Sequence, residues 1–116
     1  MDTRTKIVPP AETRRLAASG AVVVSGFFDP LLASHAERLA EMKREGSPLL
    51  VLIADPEDAI LPARARAELV AGLRVVDYVA EPAPGNAEPH FRLEQEDHRR
   101  RDDLIERVHA RQRTAG

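Results

Sequence analysis

Two uninterrupted apolar runs, Ala21-Val22-Val23-Val24 and Leu49 to Ala54, stand out from an otherwise mixed chain. Runs of four to six aliphatic residues with no polar alternation mark strands covered on both faces. Val75-Val76-Asp77-Tyr78-Val79 predicts a third strand. Between these runs the period changes to that of a helix. From Ala33 to Arg44, His35, Leu39 and Met42 fall on one stripe, with Glu37, Arg38, Glu41 and Lys43 elsewhere, and Gly46 and Pro48 end the pattern. Ala11 to Ser19 reads as a short helix closed by Gly20. Pro62 opens another, with Arg66, Leu69, Val70 and Leu73 facing inward or along its edge.

Strand–helix–strand–helix–strand within this length implies two parallel crossovers of right-handed sense. The expected fold is therefore a three-layer α/β sandwich, a half-Rossmann unit with a short parallel sheet and helices on both faces. The whole chain, 1–116, reads as one domain with its core at about 11–80. Glu81 to Pro89 is a proline-rich loop, His90 to Leu93 could add a fourth short edge strand, and Leu93 to Arg113 is a charged helix. That helix carries Glu96–Arg100, Asp97–Arg101 and Asp103–Arg107 at i,i+4 spacing, with Leu104, Ile105 and Val108 as its apolar positions. A sheet this short should leave the edge of the first strand, or one face, uncovered. The expectation is that the C-terminal helix covers it, or that two chains pair there as a homodimer.

Composition narrows the function classes. Of 116 residues, 43% are hydrophobic and 31% charged, as in folded domains, and only 3% are aromatic, so the core must be aliphatic. A formal net charge of -2 supplies no basic face for a nucleic-acid backbone. With no cysteine there are no disulfides, thiolate metal sites or Cys nucleophiles. The polar, proline-broken stretch Met1 to Pro10 is unlike a signal peptide, and no apolar run approaches the ~18 residues of a membrane span, so a cytoplasmic protein is expected. His90, His98 and His109 have no metal-ligand spacing, and Arg99-Arg100-Arg101 lies among acidic residues as a solvated face.

The chemistry concentrates in Gly26-Phe27-Phe28-Asp29-Pro30-Leu31-Leu32-Ala33-Ser34-His35, between the first strand and its helix. Open α/β sheets bind ligands there, and the amides at a helix start attract phosphate. This segment resembles the cytidylyltransferase-like nucleotidyltransferases, above all the sugar-phosphate domain that makes activated heptose, which read G-x-F-D-x-x-H-x-G-H. Pro62 to Val79 looks like the second helix and third strand of that family, so the likeness spans about Ala11 to Val79. The resemblance implies a nucleotidyltransferase-type fold and a nucleotide or phosphorylated small molecule as ligand. A nucleoside triphosphate would bring Mg2+, although nothing in the sequence itself fixes a cofactor. It makes His35 the catalytic candidate, and Gly26, Phe27, Phe28, Asp29, Ser34, His35, Asp55 and Arg66 the nucleotide- or phosphate-binding candidates.

The motif is degenerate. Leu32 stands where the family's first histidine stands, and Ser34 replaces its glycine. The family's basic loop is reduced to the acidic Asp55 to Leu61, and its later strands and Ser/Thr-rich motif have no counterpart, which leaves half a pocket. Each residue also has a structural alternative: His35 packed beside Leu39, Asp29 capping its turn and helix, Asp55 in a solvated turn, Arg66 in an ion pair. Three functions follow. The first is a degenerate member that binds a nucleotide or sugar phosphate with weak or no transfer. The second is a non-catalytic module that docks a pathway enzyme through the C-terminal helix. The third is an active cytidylyl or adenylyl transferase that releases pyrophosphate.

Overall fold

A computed structural model of the chain describes residues 2–95. A 3-10 helix, Thr3–Lys6, leads into α1, Pro10–Ala18. Then follow β1, Val22–Gly26; α2, Ala33–Met42; β2, Leu49–Ile53; α3, Ala63–Ala71; β3, Tyr78–Ala80; and β4, Phe91–Arg92. The strands form one sheet in the order β3-β2-β1-β4, and every pairing is parallel. The architecture is α/β, compatible with a Rossmann-like fold.

Every residue of β1 and β2 is buried, as the two unbroken apolar runs require. The register runs from Val22 opposite Leu49 to Gly26 opposite Ile53. Alternate residues serve opposite faces. Val22, Val24, Leu49, Val51 and Ile53 pack with Leu39 and Met42 of α2 and with Ala67, Val70 and Ala71 of α3. On the other face, Val23, Leu50 and Leu52 pack with Leu16 of α1. Both crossovers step in the same direction with the same hand, so α2 and α3 share a face and α1 covers the reverse. A fully buried Leu, Val or Ile contributes about 1.5–3 kcal/mol, so the two central strands dominate the stability. Gly20, just beyond α1, takes φ +101°, a left-handed helix end that favours glycine.

Three expectations need correction. Ser25 and Gly26 belong to β1, beyond the end of the apolar run at Val24, because both pair with β2. The third strand starts at Tyr78, not Val75. The Lys6 ammonium donates to the carbonyls of Leu73 (3.1 Å) and Val76 (2.8 Å) and holds that stretch in a turn. Asp77 then starts the pairing, its carboxylate accepting the Leu49 N–H at 2.7 Å. Burial pushes that carboxyl up, but the Lys43 ammonium and the Leu49 N–H outweigh burial and hold it below the ordinary value. In α3 the inward set is Arg66, Ala67, Val70 and Ala71, and Leu69 is exposed on the flank.

The edge of β1 is covered by the short fourth strand that His90 to Leu93 could add, rather than by a helix or a second chain. β4 pairs with β1, Val24 opposite Phe91 and Ser25 opposite Arg92. His90 fastens the junction twice: its backbone N–H donates to the Val23 carbonyl (2.7 Å), and its Nδ1 accepts the Val23 N–H (3.0 Å). In the loop before it, the Ala87 N–H donates to the Thr13 hydroxyl at 2.9 Å, tying the loop to α1. The chain thus covers this edge itself. Residues 93–95 begin a helical turn with Leu93 buried in the core. The rest of the expected C-terminal helix, with His98, Arg99-Arg100-Arg101, Leu104, Ile105, Val108 and His109, lies outside the described residues. Among the described residues no helix is long and apolar enough to cross a membrane.

Candidate functional site

The strand order turns at β1, with β2 on one side and β4 on the other. The carboxyl ends of β1 and β4 flank this turning point, the position at which such sheets form a crevice for ligands. The second wall expected to be missing has the short strand β4 in its place, beside β1.

The loop from β1 to α2 reaches this crevice. Phe28 adopts φ +50°, which few side-chain-bearing residues do, and its ring folds back over Gly26. A Cβ on Gly26 would lie 2.6 Å from two ring carbons. The ring meets the His35 imidazole edge-on at 5.4 Å between centroids and 81° between planes. His35 is buried on the first turn of α2 and exchanges two hydrogen bonds with Leu32. Its N–H donates to the Leu32 carbonyl (3.0 Å), and its Nδ1 accepts the Leu32 N–H (3.0 Å). The imidazole therefore serves as the reciprocal cap of α2, a role more often taken by Glu or Gln. With Nδ1 accepting, the proton of the neutral ring sits on Nε2.

Asp29 and Arg66 lock the rim of the crevice. Asp29 does not cap α2. Its carboxylate crosses to the β2–α3 loop and accepts the N–H groups of Ile60 (2.6 Å) and Leu61 (2.7 Å). Arg66 is 1% exposed. Its guanidinium donates to the carbonyls of Leu61 (3.1 Å), Phe27 (3.1 Å) and Ala54 (2.7 Å), and to the Asp55 carboxylate (2.6 Å). One buried cation thus joins the ends of β1 and β2 to the loop before α3.

The Ile60 N–H is the largest influence on Asp29 and, with Leu61 and Arg66, holds its carboxyl below the ordinary 3.8 despite partial burial. A carboxyl lowered in the folded state contributes stability above that value and loses it as pH falls through the folded pKa. Asp29→Asn is therefore expected to flatten the acid limb of a plot of Tm against pH, scanned from about pH 5 to about pH 2. Identical limbs for variant and wild type would remove Asp29 from the lock.

The candidates named from sequence thus gather at one end of the sheet. Gly26, Phe27, Phe28, Asp29, Ser34 and His35 lie along the end of β1, the loop and the first turn of α2, and Arg66 donates to the Phe27 carbonyl at the loop's base and to Asp55. Arg66 is there as a clamp, its guanidinium directed at protein oxygens. Leu32 is 52% exposed at the start of α2, and Ile60 is exposed in the facing loop. Among the described residues no three His, Asp or Glu side chains are grouped to hold a metal ion.

Sequence reasoning missed the pair at the second wall. The Ser25 hydroxyl donates to the Glu94 carboxylate, 2.8 Å from each oxygen, joining β1 to the first residues after β4. The signal available was a lone serine ending a valine run. Its partner, 69 positions away, could not be read from it. Against known proteins, the chain matches no family model and no curated sequence.

Proposed function

We propose that this protein is a degenerate, cytidylyltransferase-like nucleotidyltransferase domain that binds a nucleotide or sugar phosphate and transfers weakly or not at all. The observation that carries the reading is the position of residues 26–35, which bear the motif, at the crevice where the strand order turns. The amides at the start of α2 and the positive end of its dipole favour a phosphate there. The His35 ring is held by Phe28 and Leu32 beside that helix start.

Weak turnover follows from what the rim lacks. Leu32 provides no donor where the resembling family has a histidine, and loss of one positioned donor commonly costs ~10²–10³ in rate. Arg66, bonded to the loop at the Phe27 carbonyl, donates to protein acceptors instead.

The test is calorimetric titration of CTP and of ATP, each with Mg2+, followed by an assay for pyrophosphate release. His35→Asn is the informative variant, because its amide oxygen can still accept the Leu32 N–H and preserve the helix cap. Wild type is expected to bind at least one nucleotide and His35→Asn to bind it about tenfold more weakly. Leu32→His with Ser34→Gly is expected to raise affinity. A wild type that binds neither nucleotide would overturn the reading.

A further inference from the structure

We propose that His90 is an acid-sensitive fastener, holding the amino end of β4 against β1 only while its imidazole is neutral. The observation is the 3.0 Å bond in which its Nδ1 accepts the Val23 N–H. An imidazole nitrogen accepts only when it carries no proton, and the imidazolium ion donates from both nitrogens. Proton uptake therefore sets two N–H groups against each other and deprives the Val23 N–H of its acceptor. In a sheet that acceptor is ordinarily a neighbouring carbonyl, which does not titrate. Here a side chain stands in for the carbonyl, and histidine is the side chain whose charge changes between about pH 5 and pH 8. Val23 is fully buried with the ring in place, so water replaces the lost acceptor only when the ring swings away.

The charged groups nearby have other partners. β1, against which the ring is bonded, carries no ionisable residue. On α1, which Thr13 ties to the loop before His90, Glu12 pairs with Arg15, and Arg14 donates to the Gly85 carbonyl. Glu88 and Arg92, on either side of His90 in the chain, pair with each other at 3.3 Å. Glu94 accepts the Ser25 hydroxyl. The 2.7 Å bond from the His90 backbone N–H to the Val23 carbonyl is indifferent to pH, as is the strand pairing of Phe91 and Arg92. Leu93 sits in the core whatever the charge on the ring. Acid thus loosens the amino end of β4 and leaves its carboxyl end docked. The sign is fixed by the acceptor role: the bond contributes while the ring is neutral and is lost as pH falls.

The experiment follows the Val23 amide by NMR hydrogen exchange in the full chain, wild type and His90→Asn, at about pH 7.5 and about pH 5.5. Rates are compared as protection factors, which removes the intrinsic pH dependence of exchange. The Asn amide oxygen takes much the same place as Nδ1 and accepts at either pH. His35, whose Nδ1 accepts the Leu32 N–H, is common to both proteins, so the comparison isolates His90. In wild type the Val23 protection factor is expected to fall about tenfold or more on acidification, and in His90→Asn to change by less than about twofold. The wild-type ring is expected to carry its proton on Nε2 at neutral pH, which its nitrogen chemical shifts report. Unchanged Val23 protection in wild type would overturn the proposal, and so would an equal fall in His90→Asn, which assigns the effect to another group. A ring protonated on Nδ1 at neutral pH would overturn it as well, a measurement that stands even where His90→Asn fails to fold.

Discussion

Arg66→Ala is expected to lower the free energy of unfolding by about 3–5 kcal/mol, the usual range when one member of a buried charged network is removed. The Asp55 partner is 57% exposed and can return to water. The larger cost lies in the carbonyls of Leu61, Phe27 and Ala54, each losing its guanidinium donor. A buried acceptor left unsatisfied costs about 1–3 kcal/mol. Against a whole-domain stability of about 5–15 kcal/mol, such a loss leaves little folded margin. Arg66→Lys is expected to cost about half as much, because one ammonium cannot span acceptors arranged around a planar fork. Urea unfolding at unchanged slope would read both. An Arg66→Ala protein within about 1 kcal/mol of wild type would show that the rim holds together without its cation.

Gly26→Ala is expected to cost about 2–3 kcal/mol, at the upper end for an overpacked methyl. The new Cβ would sit 2.6 Å from Cε2 and Cζ of Phe28, far inside van der Waals contact. The ring has little freedom to give way. It is buried, its residue holds φ +50°, and His35 stands against its edge. In a Phe28→Leu background the same substitution is expected to cost under about 1 kcal/mol, a coupling that a double-mutant cycle measures. Additive costs would mean that the clash is relieved elsewhere. Nucleotide affinity is expected to fall with Gly26→Ala, since the loop that carries the motif must move to make room.

The elements that patterning captured are those whose burial is uniform. Val22 to Val24 and Leu49 to Ile53 are covered on both faces, so their runs are unbroken and legible. His35, Leu39 and Met42 share one buried stripe, as their spacing implies. Patterning failed where a long-range polar contact decides the outcome. Val75 and Val76 have strand propensity, but Lys6, some 70 positions earlier, captures the Val76 carbonyl and keeps that stretch in a turn. Arg66 reads as an inward or edge residue able to form an ion pair, which the Asp55 contact bears out, but only the meeting of two loops reveals the three carbonyls that it also clamps. β4 has two residues and almost no periodic signal, yet it supplies the wall that appeared to be lost. Within the candidate site, the loop and His35 were legible from their motif spacing. The Glu94–Ser25 pair was not, because nothing local ties those two positions.

The fastening of β4 has a consequence for how the chain is made. His90 and Val23 are 67 positions apart. Emerging from the ribosome amino end first, the chain completes β1 well before His90 is available. During that interval the valine-rich β1 offers a bare row of backbone groups, the kind of template on which neighbouring chains pair and aggregate. The two-residue β4 is then a stopper as well as a wall, and its docking withdraws the strand from intermolecular pairing.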